Sequence, residues 1–340
     1  MAKKTIYDLA KELNMAPSTI SKALNKQKGV NEEKRKFIVD YAKKTGYVPN
    51  PTASSLKSKK SSTIGVLYSE ASSVGLEHPF FSPVLQHAKT FLENKGYDLI
   101  FITSKSKDYQ SYAEFCSLRN ISGVFVVSVK EGDPLLNGLN DTSNFKIVAT
   151  DFYDKNIPTI LSDNKEGIEL VVDYYKKVGF TSVGIITHNK MGPSISFKER
   201  YDNYIELCKE NNIEVKENDI VEIDHHTYVD AYNRVKAYLK EHKPPQAFFA
   251  VSDLIAIATI RALKENGYRV PEDVSVIGFD DIDLDKYLTP SLSTIRQDVK
   301  AIGTKAAKVL LKQLNGETIE KTDIRIPVSL ILRESTKRID

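Results

Sequence analysis

The chain has 340 residues, 41% of them hydrophobic, a formal net charge of +3 and two cysteines. It contains no run of the roughly 20 apolar residues that span a membrane, and its charged amino terminus lacks the apolar segment of a secretory signal. The two isolated cysteines, Cys116 and Cys208, lack a Cys-x-x-Cys spacing and favour reduced structural thiols over a nucleophile or a metal site. We therefore expect a cytoplasmic protein without a membrane partner.

The charge is unevenly distributed along the chain. Residues 1–60 contain 14 Lys or Arg and 5 Asp or Glu, whereas acidic residues outnumber basic ones in the remaining 280 residues. A basic segment joined to an acidic body is typical of a phosphate-binding head on a soluble sensor. The charge alone also fits lysines that only solvate flexible ends, so the interpretation depends on the pattern within this segment.

Residues 5–25 predict two short helices joined by a tight turn. Apolar residues recur at helical spacing in the first helix, Asn14 can end it in the left-handed conformation, and Pro17 suits the first position of the second. The second helix turns Ile20, Ala23 and Leu24 inward. Its outward face carries small polar residues and one long cation, which suit base edges in the major groove: Ser18, Ser21, Lys22 and Asn25.

A third helix and a short fourth one follow. Asn31 can cap the third helix, which ends near Gly46. Asn50-Pro51 then begins a helix of about two turns before a Lys/Ser run, and so short a helix is largely unformed in water. Composition alone favours a plain linker for this segment, whereas a helix that forms only on DNA is the functional alternative.

The segment from Thr5 to Asn25, with the later Asn50, Ala53 and Leu56, closely resembles the lactose/galactose repressor (LacI/GalR) family. The resemblance implies that the second helix enters the major groove and that paired hinge helices enter the minor groove, where Leu56 is the wedge beside Ala53. The implied DNA-binding residues are Thr5, Tyr7, Pro17, Ser18, Thr19, Ser21, Lys22, Asn25, Asn50, Ala53 and Leu56. Ala16 and Ser54 depart from the family, which usually has Ser and often Arg there.

The other 280 residues predict an α/β body with two lobes. Apolar runs typical of buried parallel strands alternate with amphipathic stretches, which implies parallel sheets with helices on both faces. The runs are 64–68, 99–102, 123–127 and 147–149, then 183–186, 247–251 and 274–279; the helical stretches include 83–95, 167–178 and 254–266.

The carboxyl ends of these strands predict a ligand cleft, because open α/β sheets bind ligands at that edge. Aromatic rings there can stack on the apolar face of a sugar, while an Arg and carboxylates can hydrogen-bond its hydroxyl groups. Singly, each carboxylate is as often a helix cap, and Phe80 and Phe81 could belong to the core. The strand ends supply Phe80, Phe81, Ser128, Asp151, Ser194, Ser196, Arg200, Ser252 and Asp280.

The family resemblance covers the whole chain. Asp163-Asn164, the segment 270–281 and Leu288-Thr-Pro290 look like the family's sensor signatures. The resemblance implies effector contacts by Phe80, Asp151, Ser196, Arg200, Ser252, Asp280 and Gln297. It puts His226 where the second lobe has its stacking aromatic residue, and Ser194 where purine-sensing members have Arg. A neutral sugar is therefore favoured over a purine or nucleoside.

The resemblance also implies the architecture: an all-α helix-turn-helix head on a two-lobed, periplasmic-binding-protein-like body. We expect a head at residues 1–48, a hinge helix and linker at 49–62, an N-lobe at 63–162 plus 293–323, and a C-lobe at 163–292 plus 324–340. A homodimer is expected because two heads must meet the two half-sites of a near-palindromic, double-stranded operator.

Two other protein classes agree less well with the sequence. An enzyme lacks support, since the sequence has no P-loop, no Gly-x-Gly-x-x-Gly and no Gly-x-Ser-x-Gly, and Asp281–Asp285 only begins like a calcium loop. We expect no metal and no cofactor. A secreted solute-binding protein would share the two-lobed body but would need a signal peptide and would not bind DNA.

Overall fold

The computed structural model describes residues 4–47, 61–69, 75–102, 110–129, 145–152, 154–188 and 194–339. The chain divides into two compact units, Met1–Ser61 and Ser62–Asp340, which we call the head and the body. The predicted boundary at residues 48 and 49, and nearly all of the hinge segment 49–62, lie outside the described residues, as do Asn50, Ala53 and Leu56.

The described part of the head consists of three helices: α1 Ile6–Glu12, α2 Pro17–Leu24 and α3 Glu32–Lys44. Thr5 caps α1 through a capping box with Asp8. Asn14 has a φ of 50° and ends that turn, Pro17 is the first residue of α2, and Asn31 caps α3, so the predicted start and stop signals are confirmed. The helices enclose a small core of Leu9, Ala10, Ile20, Ala23, Ile38 and Ala42.

Within the described part of the body, twelve strands form two six-stranded sheets. The first sheet has the order β11-β5-β4-β3-β1-β2 and the second β12-β10-β9-β8-β6-β7. The strands are β1 Thr63–Ser69, β2 Asp98–Ile102, β3 Gly123–Val129, β4 Lys146–Ala149, β5 Thr159–Ser162, β6 Val183–His188, β7 Ile220–Ile223, β8 Ala247–Ala250, β9 Ser275–Asp280, β10 Ser293–Gln297, β11 Asp323–Ile326 and β12 Val328–Ile331. Every pairing is parallel except that of β12 with β10, so the predicted parallel sheets are confirmed.

Helices cover both faces of the sheets, as the alternation of apolar runs and amphipathic stretches predicts. They are α4 Phe81–Glu93, α5 Tyr112–Leu118, α6 Asn164–Val178, α7 Ile195–Glu210, α8 Tyr228–Glu241, α9 Asp253–Glu265 and α10 Val299–Leu314; short 3-10 turns lie at Gly75–Glu77, Glu217–Asp219 and Asp283–Tyr287. Helices α4 and α10 pack on one face of the first sheet and α5 on the other, while α6 to α9 flank the second. Helix α10 lies close to α4 at Gly303, where there is no room for a side chain. A Cβ there would lie 2.2 Å from the Val84 carbonyl oxygen.

The described chain crosses between the two sheets three times, after β5, after β10 and between β11 and β12. This pairing corrects two predicted lobe boundaries. Residues 293–297 were expected in the N-lobe, but β10 pairs with β9 and extends the second sheet. Residues 324–326 were expected in the C-lobe, but β11 pairs with β5 at the edge of the first sheet. These boundaries came from the family resemblance alone, and neither short strand is a continuous apolar run that would have marked its position in the sequence.

No helix in the described ranges is both long and apolar enough to cross a bilayer. The two cysteines, Cys116 and Cys208, are buried and unpaired as disulfides. Burial raises the pKa of each thiol to about 12, which makes a thiolate nucleophile unfavourable at either position.

Candidate ligand site and DNA-binding face

A cavity with about 480 Å³ of empty space, which includes open solvent, lies where the carboxyl ends of strands from both sheets meet. Its described lining comes from the start of α4, the ends of β4, β5, β9 and β10, the starts of α7, α8, α9 and α10, and the segments just before them: His78, Phe80, Phe81, Thr150, Asp151, Ile160, Leu161, Ser162, Ser194, Ser196, Phe197, Arg200, His226, Ser252, Asp280, Gln297 and Ile302.

Ten of the eleven predicted ligand residues line this cavity, and Ser128 does not. The prediction ended the third strand at Val127, which would have put Ser128 beyond the sheet edge. Strand β3 instead runs to Val129, and Ser128 is buried within it and paired with Tyr68 of β1. Thr150, which directly follows β4, lines the cavity instead. Its hydroxyl donates to the Val127 carbonyl oxygen at 2.7 Å.

Arg200 is a buried cation held in one orientation. Its Nε donates to Asn164 Oδ1 at 2.9 Å, its NH1 donates to the Val251 carbonyl oxygen at 2.7 Å, and its Cζ lies 3.6 Å from the centre of the Phe279 ring. Burial lowers the pKa of the guanidinium, while the nearby carboxyl groups of Asp280 and Asp151 raise it. Arg200 has five N–H donors, and two are engaged in these bonds, which leaves donors for a ligand.

Asp280 and Gln297 form the carboxyl and amide pair at the ends of β9 and β10. Gln297 Nε2 donates to Asp280 Oδ1 at 2.6 Å, and Gln297 Oε1 accepts from the hydroxyl of Ser162 at 2.5 Å. Burial, followed by the charge of Asp253, raises the pKa of Asp280 to about 8. Since Ser162 belongs to the first sheet, Gln297 connects the cavity walls contributed by the two sheets.

Asp151 makes a second connection between the lobes. The Ser194 hydroxyl, at the start of α7, donates to Asp151 Oδ1 at 2.7 Å, and Ser196 also hydrogen-bonds this carboxyl group. Burial raises the pKa of Asp151, while the two serines and Arg200 lower it. Ser194 is at the same time the N-cap of α7, since it accepts from the Phe197 amide.

An aromatic wall lies beside these polar groups. The His226 ring stacks on Phe197 with centroids 4.5 Å apart and an interplanar angle of 26°, and His226 Nε2 lies 3.2 Å from Ser252 Oγ. Burial is the main cause that lowers the pKa of His226 to about 3, so the imidazole is neutral at pH 7. Its buried Nδ1 has no hydrogen-bond partner among the described residues, and a ligand hydroxyl can supply one.

The backbone is strained at the cavity. Asp151 and Asp280 have φ values of 51° and 148°, and the next residue, Asp281, has 59°. Residues other than glycine seldom adopt such values, which cost about 1–3 kcal/mol each and cluster at functional sites. Asp281 is fixed by Arg296 Nε at 2.6 Å and by Arg333, so the surrounding charges hold this turn in place.

In the head, the polar face of α2 is available to solvent. Ser18, Lys22 and Asn25 are exposed, and Pro17, Thr19 and Ser21 are partly buried at the edge of the same helix. Thr5 and Tyr7 are also exposed, although the Thr5 hydroxyl is engaged with Asp8 in the α1 cap. Ala16 provides no side-chain cap for α2, so the first turn keeps amide groups that can meet a phosphate.

Similarity to known proteins extends over nearly the whole chain. The family model of the periplasmic binding protein-like domain matches residues 172–336. The transcriptional repressor PurR of Mannheimia succiniciproducens is 27% identical over 344 residues, which cover 98% of this chain and 99% of that protein. The ribose operon repressor of Halalkalibacterium halodurans is 28% identical over 342 residues, which cover 98% of this chain and 97% of that repressor.

The chain resembles transcriptional repressors over nearly its whole length. Its fold is that of the lac repressor, whose dimer bound to operator and the anti-inducer ONPF superposes with a TM-score of 0.85. The two chains are 23% identical, and the match covers 98% of this chain and 99% of the lac repressor chain.

Sequence reasoning missed several residues that line the cavity: His78, Thr150, Ser162 and Phe197. His78 Nδ1 accepts from the amide of Phe80 at 3.3 Å and so helps to begin α4, a role that its place before Pro79 did not reveal. Ser162 directly precedes the Asp163-Asn164 signature and Phe197 lies between Ser196 and Arg200. Both are adjacent in sequence to residues that the sequence analysis did single out.

The site does not resemble a metal centre. No group of three or more His, Cys, Asp or Glu side chains within the described ranges has a geometry that could hold a metal ion. The polar groups at the cavity are instead an arginine, two carboxyl groups, an amide and several hydroxyls. Such groups can bind a ligand through hydrogen bonds.

Proposed function

We propose that this chain is a sequence-specific, DNA-binding transcriptional repressor of carbohydrate-utilisation genes, and that a small neutral sugar in the cavity of the body controls it. The observation that carries the effector part is the position of Arg200. Asn164 and Val251 hold its guanidinium between Asp280 and Asp151, yet within the described residues it donates to neither carboxyl group. Adjacent hydroxyl groups of a sugar can bridge the cation and the two carboxyls.

The aromatic wall supports a sugar over an ion. Phe197 and His226 present a stacked pair beside the hydroxyl-binding groups, and Phe80 lies in the same lining. An aliphatic sugar face can pack on such rings while its hydroxyls reach the polar groups. The ribose operon repressor among the relatives supports the same class of ligand.

A purine or nucleoside effector is the alternative, because the relatives also include a repressor named PurR. At position 194, where purine-sensing members have an arginine, this chain has a serine whose hydroxyl is engaged with Asp151. A purine presents ring nitrogen and carbonyl acceptors, and Ser194 offers them no cationic donor. This difference favours the neutral sugar.

DNA binding is proposed from the exposed polar face of α2 and the excess of positive charge in residues 1–60. We propose that the chain acts as a homodimer on a near-palindromic operator in the cytoplasm, with Ser18 and Lys22 at the base edges. We also propose that ligand-dependent movement of the lobes alters the hinge segment 49–62 and thereby the affinity for operator. We propose no enzymatic activity.

The effector proposal is tested by thermal unfolding of the full chain with D-ribose, D-galactose, D-glucose, cellobiose, sugar phosphates, hypoxanthine and guanine. A neutral sugar should raise the unfolding temperature, because a ligand at 100 times its Kd stabilises the folded state by about 2.7 kcal/mol. A rise with a purine alone would establish the alternative, and a rise with a sugar phosphate alone would refute neutrality.

The DNA proposal is tested by selecting binding sites from random duplex DNA with the full-length protein. A repressor should enrich a near-palindrome and bind it with steep salt dependence. A solute-binding protein without DNA function would enrich no sequence and would bind no duplex at low salt.

A further inference from the structure

A second acidic group lies beneath the cavity and takes no part in the contacts described so far. Asp285, in the 3-10 turn Asp283–Tyr287, is fully buried. Neither of its carboxyl oxygens accepts a hydrogen bond from any amide, hydroxyl or amine of the described residues. A buried carboxylate without a donor is strongly unfavourable, so this group must be neutral or must hydrogen-bond another acid.

The group that faces Asp285 is Asp253, the first residue of α9, which is also fully buried. The two carboxyl groups lie within hydrogen-bonding range of each other. Asp253 has donors of its own, since Oδ1 accepts from the Thr294 hydroxyl at 2.6 Å and Oδ2 accepts from the Ile282 amide at 3.2 Å. Asp253 therefore accepts hydrogen bonds from two neighbouring groups, whereas Asp285 accepts none from the amides, hydroxyls and amines of the described residues.

The fold makes room for this pair. A Cβ at Gly278 of β9 would lie 2.1 Å from Asp253 Oδ1, so the Asp253 carboxyl occupies space that only a glycine in the neighbouring strand leaves free. Any side chain at residue 278 would displace the acid.

Charges on the surrounding elements do not neutralise Asp285. From the end of β9, Asp280 and Asp281 add negative charge. After β12, Arg333 opposes it, but its guanidinium is engaged with Asp281 and with the Leu292 carbonyl oxygen. From α7, Arg200 acts on Asp253 through its charge. No group of three possible metal ligands occurs within the described ranges, so a proton, rather than a metal ion, is left to balance the pair.

We propose that Asp253 and Asp285 share a proton, with the Asp253 carboxyl donating to an Asp285 oxygen, and that this bond positions the floor of the ligand cavity. The connection to the cavity is short. The Asp253 backbone amide hydrogen-bonds the Asp280 carboxyl, and the preceding residue, Ser252, lines the cavity beside His226. Asp285 is thus a positioning residue that acts through Asp253. The inference goes beyond the proposed function and does not depend on it.

Protonation of this pair makes the stability of the body depend on pH. Burial raises the pKa of Asp285 to about 7, and burial together with the Asp285 carboxyl raises that of Asp253. An unfolded Asp releases its proton near pH 3.9, so between about pH 4 and 7 Asp285 of the folded body holds a proton that it lacks in the unfolded chain, in addition to the proton on Asp253. This contribution to stability is complete below the unfolded pKa and is lost as the pH rises through the folded pKa.

The test compares the wild-type full chain with D285N and with D283N between pH 5 and 8. The side-chain amide oxygen introduced by D285N can accept the hydrogen of the Asp253 carboxyl, so the hydrogen bond is kept while the titration of residue 285 is removed. Asp283 lies in the same turn but its side chain is 95% exposed, which makes D283N the matched control. Urea unfolding at each pH gives the unfolding constant, and tyrosine fluorescence follows the transition.

We expect the slope of the unfolding constant against pH to fall by up to one proton in D285N, which is about tenfold per pH unit, and to stay unchanged in D283N. Infrared spectra of the wild type at pH 6 should show a protonated carboxyl band whose intensity falls by one acid in D285N, while the contributions of Asp253 and Asp280 remain. Equal slopes in wild type and D285N would overturn the proposal, and so would a loss of stability in D285N that is the same at every pH. Persistence of the full carboxyl band in D285N would overturn it as well.

Discussion

The side-chain oxygen of Gln297 accepts a 2.5 Å hydrogen bond from the hydroxyl of Ser162, and the two residues belong to different sheets. The amide nitrogen of the same Gln297 donates to Asp280 inside the cavity. One side chain therefore contacts both a carboxyl group of the cavity and the opposite lobe. A ligand that engages Asp280 acts directly on a contact between the lobes.

Replacement of Gln297 by Ala should weaken binding of the stabilising sugar about tenfold, because it removes a hydrogen bond to a buried carboxyl group and the contact between the lobes. Ser162→Ala separates the two effects, since it removes only the bond between the lobes and should cost less. Isothermal titration with the sugar identified by thermal unfolding measures both. Unchanged affinity in Gln297→Ala would exclude this residue from the binding site.

Asp280→Ala should abolish the response to ligand while leaving operator affinity nearly intact, because Asp280 lines the cavity of the body and lies outside the head. The readout is operator binding in a gel-shift titration with and without the sugar. Asp283→Ala, which removes an exposed carboxyl group three residues away, is the control and should respond as the wild type does. A normal response in Asp280→Ala contradicts the assignment.

Lys22→Ala should weaken operator binding roughly tenfold or more and relax the sequence preference at one base position, because Lys22 is exposed on the proposed reading face. Lys36 on α3 is equally exposed but lies on another helix, so Lys36→Ala should leave the sequence preference unchanged. Binding-site selection with each variant compares the two. If both variants lose affinity without any change of preference, Lys22 contacts phosphate rather than a base.

Leu56→Ala should weaken specific operator binding far more than nonspecific binding, if the leucine wedges into the central base step as the family resemblance implies. Competition between the selected operator and random duplex gives both affinities. Equal losses would exclude intercalation by this residue.

Arg325→Gln should lower the free energy of unfolding of the body by about 1–3 kcal/mol. This value lies between the cost of breaking an exposed ion pair and the cost of breaking a buried one. Arg325 on β11 binds both oxygens of Glu199 on α7, at 2.6 and 2.8 Å, and its side chain is 25% exposed. Arg269→Gln breaks a pair whose arginine is 71% exposed, and it should leave the urea midpoint unchanged. Equal shifts of the urea midpoint in both variants would mean that the ion pair between Arg325 and Glu199 stabilises the body no more than an exposed ion pair does.

The sequence predicted the sheets wherever a strand is a continuous apolar run. Strand β3 is buried along its whole length and was found, although its end was set two residues early, at Val127 rather than Val129. Strand β10 was missed because its residues include Ser293, Thr294 and Gln297, which are buried through hydrogen bonds rather than through apolar side chains. Strand β7 lies at a sheet edge and alternates between buried and partly buried residues, so its apolar signal is short.

The ligand residues were predictable because the carboxyl ends of parallel strands meet at one edge whatever their order. Which polar groups contact each other was not predictable, since it depends on side chains far apart in sequence. Asp285 illustrates the limit: the sequence showed only the start of a calcium-like loop. The pairing with Asp253 depends on the turn after β9 and on the glycine at residue 278.

The two edge strands β11 and β12 occupy nine consecutive residues, Asp323 to Ile331, and each completes a different sheet. During translation, neither sheet has its full set of strands until this short stretch has left the ribosome. A nonsense mutation anywhere upstream of residue 323 would deprive both lobes of an edge at once. Such truncated products would therefore be substrates for quality-control proteases rather than half-active sensors that compete with the intact protein.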